Sequence, residues 1–237
     1  MKITEPTTDI KRSDVFPVRK ISTDGSLISL KDNCLLIEYA LSVFSEGKLL
    51  FKAVCTPTYL KELIVGRLIT ESGIFPDDIE QIEIFPKEGT ANVILHKKPN
   101  EKPEPTPLTG SSDFLGAVSA LNSKVKEDSG LHVLTGASHS SVLVYEDKVL
   151  FEAEDLGRHN AIDKAVGFLY INGLDPSKAA LFTTGRMPED MVRKALMARI
   201  PVFISKKKPT AAGLSIAAKY NLRLIGSLRD DHMEVYN

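Results

Sequence analysis

The chain has 237 residues, of which 26% are charged and 43% hydrophobic, the mix of a folded globular protein rather than a disordered or collagen-like one. Thirty basic side chains against 31 acidic ones leave a net charge of −1, so no global field draws the chain to nucleic acid or to an anionic membrane. It contains no apolar run of about 18 residues to span a bilayer and no apolar core of a secretory signal near its N-terminus. Its two cysteines, Cys34 and Cys55, are too few for a disulfide scaffold, and the expected compartment is the cytoplasm.

The first thirty residues are polar and weakly periodic, which predicts an extended arm or a peripheral strand. Leu35 to Phe44 and Lys48 to Val54 read as two strands joined at Glu46-Gly47, a hairpin pattern. A helix is expected next, with Thr56 as its N-cap, Pro57 in its first turn, Leu60, Leu63, Ile64 and Leu68 on one face, and Gly73 as its stop. Ile79 to Phe85 and Ala91 to His96 follow as strands around a turn at Pro86–Gly89. Residues 97–110 carry four prolines and little that is apolar, and they divide the chain. The expected organisation is an N-terminal α+β domain (1–97), a Pro-rich linker (98–110) and an α/β domain (111–237). The second half predicts a helix over Asp113–Lys126, a hairpin of Ser140–Tyr145 and Val149–Ala153, and a helix from Ala161 to Ile171 capped by Asn160. Alternating strands and helices then run to Leu222–Ile225. Such an order calls for a three-layer α/β domain with a partly parallel sheet, whose ligands gather at the carboxyl ends of the strands.

Four loops at those ends share a composition of small residues and donors. They are Thr135-Gly136-Ala137-Ser138-His139, Glu154-Asp155-Leu156-Gly157-Arg158-His159-Asn160, Thr184-Gly185-Arg186-Met187-Pro188 and Ser205-Lys206-Lys207-Lys208-Pro209-Thr210. Glycine lets backbone approach a ligand, helix starts offer free N–H groups, and arginine forks suit phosphate or carboxylate. Together they predict a polyanionic, nucleotide-like ligand. Each part also has a plainer reading. Asp155, Asp163 and Lys164 suit an ion-pair network at a helix start, His139 and His159 suit structural roles, and Lys206–Lys208 suit a solvated face. A zinc deaminase would need C-x-x-C, which is absent, and no set of ligands for a metal is seen. Cys55, like Cys34 beside Leu35-Leu36, is expected to be buried as a small hydrophobe; the alternative for Cys55 is a nucleophile whose pKa is lowered by the dipole of the predicted helix start it precedes.

The run Glu154-Asp155-Leu156-Gly157-Arg158-His159-Asn160-Ala161-Ile162-Asp163-Lys164-Ala165-Val166-Gly167 resembles the signature E-D-x-G-R-H-N-A-x-D-K-x-x-G of the formate dehydrogenase accessory protein family, FdhD/NarQ. Thr135-Gly136…His139, Thr184-Gly185-Arg186 with Met191-Val192-Arg193-Lys194-Ala195, and the tail from Ile200-Pro201-Val202 through Leu224-Ile225-Gly226 to Arg229 and Tyr236 are similar to its other motifs. So is the run Thr56-Pro57…Leu63…Gly66…Glu71 in the first half. The resemblance implies a cytidine-deaminase-like C-terminal domain and a smaller N-terminal one. It implies a cytoplasmic homodimer that moves sulfur from a cysteine desulfurase to a molybdenum or tungsten bis-guanine-dinucleotide cofactor for formate dehydrogenase. It also places cofactor contacts at Ser227, Leu228, Arg229, Asp230, Asp231 and His232. The family's sulfur-carrying loop is of C-G-x-C-G type; the corresponding stretch here, Thr109 to Gly116, has no cysteine.

The reading of function is therefore an accessory protein that binds this cofactor, or a GDP- or GMP-like nucleotide, without a catalytic residue of its own. In that reading Arg158, Arg186 and Arg229 pair phosphates, and Gly136, Gly157 and Gly185 admit the ligand. His139, His159 and Asn160 orient it, Asp155, Asp163 and Lys164 hold the loop, and Thr184, Ser205, Pro209 and Thr210 complete the set. The alternatives are an active sulfurtransferase using Cys55 or a partner's cysteine, and a regulatory paralogue without a ligand.

Overall fold

The computed structural model describes residues 1–6, 10–99, 103–109, 114–125 and 130–237, with side chains of the second helix described to residue 122. The first half supplies β1 (Lys2–Thr4), β2 (Ser13–Ile21), β3 (Leu27–Leu36), β4 (Tyr39–Ser45), β5 (Lys48–Cys55), α1 (Leu60–Ser72), β6 (Ile79–Phe85) and β7 (Thr90–Leu95). Five of these strands form one sheet in the order β1-β6-β7-β4-β5, while β2 and β3 pair only with each other as a separate antiparallel ribbon. The predicted hairpin forms about Glu46-Gly47, both at positive φ. Strand β4 begins only at Tyr39, however, because Leu35 and Leu36 belong to the ribbon.

The second half supplies α2 (Phe114–Val125), α3 (Leu131–Thr135), β8 (His139–Tyr145), β9 (Lys148–Asp155), α4 (Arg158–Ile171), β10 (Ala179–Thr183), α5 (Glu189–Met197), β11 (Val202–Ser205), α6 (Ala211–Lys219), β12 (Arg223–Gly226) and β13 (Glu234–Val235). Its six-stranded sheet runs β13-β12-β11-β10-β8-β9, with β10, β11 and β12 parallel. Side chains alternate across this sheet. Val142, Val144, Ala180, Phe182, Val202 and Ile204 pack against Ala117, Val118 and Leu121 of α2. Leu143, Leu181, Phe203 and Leu224 face the opposite way, into the core shared with α4, α5 and α6. Helices thus lie on both faces of the sheet, and the architecture is mixed α/β.

The larger core does not stop at the Pro-rich segment. Leu41, Val43, Leu63, Ile64 and Ile82 from the first half belong to the same buried cluster as Ile162, Val166 and Leu181 from the second. Its centre is the crossing of α1 over α4. A Cβ built on Gly66 would lie 1.8 Å from the carbonyl oxygen of Asp163, and one on Gly167 would lie 1.9 Å from that of Glu62. Only a residue without a side chain allows two helix backbones to touch in this way. Residues 103–109 run over the second half, where Leu108 donates its N–H to the Tyr220 carbonyl at 2.9 Å and Tyr220 donates its hydroxyl to Glu104 at 3.1 Å.

Two helix starts differ from expectation. Helix α1 begins at Leu60, not at Thr56-Pro57, and Thr56 caps nothing. Helix α4 begins at Arg158 after Gly157, which puts Asn160 inside its first turn. Both side chains are taken by partners about a hundred residues away, as described below. The short helix α3 falls in a stretch the sequence pattern left without an element.

Candidate functional site

Strand register brings the four predicted loops to one edge of the six-stranded sheet. His139 pairs with Asp155, Ser141 with Thr183, Thr183 with Ser205, and Ile204 with Ile225. The loops leaving these positions are therefore neighbours, as the rule for parallel strands predicts. They are tied to one another as well. The Thr184 hydroxyl accepts the Ser140 N–H at 3.1 Å, the Ser205 hydroxyl donates to the Gly185 carbonyl at 2.6 Å, and Leu228 donates to the Ser205 carbonyl at 3.1 Å.

A cleft of about 1020 Å³ opens at this edge. Of the expected residues, Gly136, His139, Thr184, Leu228, Arg229, Asp230, Asp231 and His232 line it. Lys206 and Lys207 line it too, and among the described residues neither forms an ion pair. Arg229 donates Nη1 to the carbonyls of Lys206 and Leu228 at 2.9 and 2.8 Å, which holds its fork at the rim. Burial, with the nearby Arg158 and His132, pushes the His139 pKa below its ordinary value, so this imidazole is neutral at physiological pH. Asp231 is engaged by the His232 ring at 2.7 Å.

The wall made by α3 contains residues the sequence reading did not select. Glu154 accepts the N–H groups of Leu131 and His132 at 2.6 and 2.8 Å and the Ser138 hydroxyl at 3.1 Å. His132 Nδ1 lies 2.7 Å from the Ser138 carbonyl and therefore carries a proton; in the neutral ring this tautomer leaves Nε2 as an acceptor. Glu154 is the first residue of the recognisable run, and only the fold reveals that its carboxylate holds the cleft wall.

The remaining predicted residues do other work. Asp155 and Lys164 are fully buried and 2.6 Å apart. Lys164 Nζ also donates to the carbonyl and hydroxyl oxygens of Thr56 at 3.1 and 2.8 Å, while Asp155 accepts the N–H groups of Thr56 and Gly157 at 3.0 and 2.9 Å. Asn160 donates to both Asp155 and the Val54 carbonyl. A second knot joins Asp163 to Lys194, with Nζ at 2.9 and 3.0 Å from its two oxygens, and to the Thr70 hydroxyl at 2.7 Å. Lys194 reaches on to Glu71 at 2.8 Å. Asp155, Asn160, Asp163 and Lys164 are thus turned inward and spend their polar atoms within the chain; of the two readings open at the sequence level, the ion-pair network is the one observed.

Gly157 caps α4, and Gly185 lies under the Arg158 side chain, whose Cδ would be 3.3 Å from a Cβ there. Arg186 is exposed away from the cleft lining. Thr210 caps α6 by accepting the Gly213 N–H, Pro209 bridges to Met187, and Ser227 turns the chain at φ 52°. His159 faces a different, smaller cleft of about 480 Å³, where its Nε2 is 2.9 Å from Asp190.

The two cysteines differ. Cys55 has no exposed surface, and burial pushes its pKa up to about 12 despite the nearby Lys164 ammonium. It is the small buried hydrophobe expected from the sequence. The lowering by a helix start fails because α1 begins five residues later. Cys34, expected to be buried, sits half-exposed on β3. Of the cysteine-free stretch Thr109 to Gly116, residues 110–113 lie outside the described residues. Among the described residues no cluster of metal ligands is found, and no helix is long and apolar enough to cross a membrane.

Comparison with known proteins agrees with the chain's own motifs. The profile of the FdhD/NarQ family matches residues 113–237. A protein of Bacillus subtilis named sulfur carrier protein FdhD is 28% identical over 236 residues, covering 88% of this chain and 90% of its own. A protein of Methanocaldococcus jannaschii named protein FdhD is 26% identical over 209 residues, covering 86% and 88%. A crystal structure from Desulfotalea psychrophila, assigned as a formate dehydrogenase accessory protein, superposes with a TM-score of 0.84 at 26% identity, covering 96% of this chain and 97% of its own. With more than half of its length matched by the family profile, this chain belongs to the FdhD/NarQ family.

Proposed function

We propose that the chain acts in formate dehydrogenase maturation by binding a guanine-nucleotide-bearing molybdenum or tungsten cofactor, or a GDP- or GMP-like nucleotide, in the 1020 Å³ cleft. The observation that carries the reading is the convergence of Lys206, Lys207 and Arg229 with the small-residue loops at Gly136 and Thr184 on one edge of the sheet. Cations without carboxylate partners at a cleft rim favour a phosphate-bearing ligand. The volume suits a ligand at or above the upper end of ordinary small-molecule pockets, about 1000 Å³. Lys206, Lys207 and Arg229 would take the phosphates, neutral His139 and the acceptor nitrogen of His132 would read polar edges, and Leu228 would pack against a ring. When such a cofactor is bound, its metal supplies the redox chemistry of the target oxidoreductase. The layering of helices on both faces of a mixed sheet supports a cytidine-deaminase-like second half. The test is calorimetric titration with GDP. Saturable heat that falls in the Lys206→Ala/Lys207→Ala variant is expected, and no heat at all overturns the reading.

The name carried by the relatives, sulfur carrier protein, makes sulfur carriage with a cysteine desulfurase the second reading. Cys34 is the thiol with solvent access, whereas Cys55 is sealed and held protonated. Incubation with a desulfurase and free cysteine, followed by intact-mass analysis, separates the readings. A chain that gains no sulfur is a cofactor holder alone; one extra sulfur on Cys34 assigns carriage to the ribbon.

A further inference from the structure

The cleft has two unlike ends. Lys206, Lys207 and Arg229 follow strands β11 and β12, while the wall made by α3 rests on β9 through Glu154. Neighbouring strands lie about 4.8 Å apart, so the three steps from β11 through β10 and β8 to β9 set the two ends about 14 Å apart. An extended nucleoside diphosphate bridges that span with its phosphates on the cations, which leaves its base on the α3 wall. Alternation along β9 turns Ala153 and Asp155 into the core and Glu154 towards the cleft. There its carboxylate gathers both ends of one loop, accepting the N–H groups of Leu131 and His132 and the hydroxyl of Ser138.

What this wall offers a ligand follows from where its donors go. Beyond the three that Glu154 takes, Gly136 donates its N–H to the His132 carbonyl at 2.7 Å and Ala137 donates to the Thr135 hydroxyl at 3.3 Å. That hydroxyl in turn donates to the Leu131 carbonyl at 2.7 Å. The proton on His132 Nδ1 is spent on the Ser138 carbonyl. In the neutral ring Nε2 is then left to the cleft as a lone pair, and among the described residues it has no partner. A wall whose donors are spent takes a ligand edge that donates. Guanine presents two adjacent donors, N1–H and the N2 amino group, where adenine presents N1 as a lone pair beside C2–H. We infer that His132 is the specificity-determining residue of the cleft. Its Nε2 accepts from the N1–H or the N2 amino group of guanine, and Glu154, with both oxygens already engaged, is the positioning residue that holds the imidazole there. The inference rests on the nucleotide reading above and adds which end of the cleft takes the base and which side chain selects it.

Calorimetric titration of the full chain with GDP and with ADP tests it, read as the ratio of the two affinities. The wild type is expected to bind GDP about tenfold tighter than ADP, because adenine sets one lone pair against another. His132→Leu should bring the ratio close to one while ADP affinity stays near that of the wild type. His132→Gln, whose amide oxygen reaches the place of Nε2, should keep the preference for GDP, a rescue that a merely structural role would not show. Glu154→Ala should lower the ratio as His132→Leu does. Should that variant fail to fold, as circular dichroism would show, Glu154→Gln keeps one acceptor oxygen and serves in its place. Lys206→Ala/Lys207→Ala, at the other end, should weaken both nucleotides alike and leave the ratio unchanged. Equal affinities in the wild type, or a ratio that survives His132→Leu, overturn the inference and leave the nucleotide reading standing. A ratio untouched by the Glu154 variants overturns the part given to Glu154. No heat with either nucleotide overturns that reading and the inference with it.

Discussion

Two charged regions of the molecule contrast sharply. At the crossing of α1 and α4, Asp155–Lys164 and Asp163–Lys194 are sealed, and almost every donor and acceptor has a partner within the chain. At the sheet edge, Lys206, Lys207 and Arg229 stand in or near solvent with no carboxylate of the described chain spent on them. The same kinds of side chain therefore play opposite parts. Those of the interior fix one half of the sequence to the other, and those at the edge stay available. The most recognisable stretch of the sequence, Glu154 to Gly167, serves mainly the interior. It supplies Asp155, Asn160, Asp163 and Lys164 there and only the Glu154 carboxylate to the cleft wall.

The largest effect that would break this contrast is at Lys164. Its replacement by methionine leaves the Asp155 carboxylate buried without its cation, and denaturant unfolding should show a loss of about 3–5 kcal/mol. The paired change Lys164→Met/Asp155→Leu should recover part of it. A single-variant loss near zero would mean that the knot is not what joins the halves. A smaller effect is expected at Glu62, next to the crossing, where one carboxylate oxygen is buried without a partner. Burial raises its pKa above the ordinary carboxylate value of 4.5. The folded chain thus keeps this proton to higher pH than the unfolded chain does. The penalty is absent below the ordinary value and grows as pH rises through the raised one. Glu62→Gln should accordingly equal the wild type at about pH 4 and exceed it by up to about 1 kcal/mol at neutral pH. An advantage confined to low pH would reverse the assignment. The smallest effect on stability is expected at the edge. Lys206→Ala and Lys207→Ala should each stay within about 0.5 kcal/mol of wild-type stability, while the affinity for GDP falls and loses much of its salt dependence.

Much of the fold was legible from the sequence because its signals are local. The hairpin turn at Glu46-Gly47, the stop at Gly73 and the strand Ala179–Thr183 follow from turn chemistry or from a short apolar run, while the turn expected at Asp147-Lys148 and the strand expected at Pro201–Ile204 lie within one residue of those observed at Glu146-Asp147 and Val202–Ser205. The helix starts were not legible, because Thr56 is claimed by Asp155 and Lys164, and Asn160 by the Val54 carbonyl, through contacts between residues about a hundred apart in sequence. The site shows the same division. That the loops share an edge follows from the strand order, but which side chains face the cleft depends on which neighbours in each loop turn inward. Asp155 and Gly157 looked equivalent to Gly136 and Thr184 in composition, yet the first two hold helix α4 and its knot while the last two line the opening. Cys34 was misplaced for a related reason. Its apolar neighbours suggest a core, but they sit on a ribbon that no other strand of the described chain covers.

The touching backbones at Gly66 and Gly167 bear on how the polypeptide matures during translation. Helix α1 emerges from the ribosome roughly a hundred residues ahead of α4, with Leu63, Ile64, Leu68 and Ile69 awaiting the surface that will shield them. The N-terminal sheet shields only one side of that helix, so the nascent chain carries a sticky flank until synthesis passes Ile171. An mRNA truncated before that codon should yield a product that depends on chaperones, whatever the integrity of its own strands.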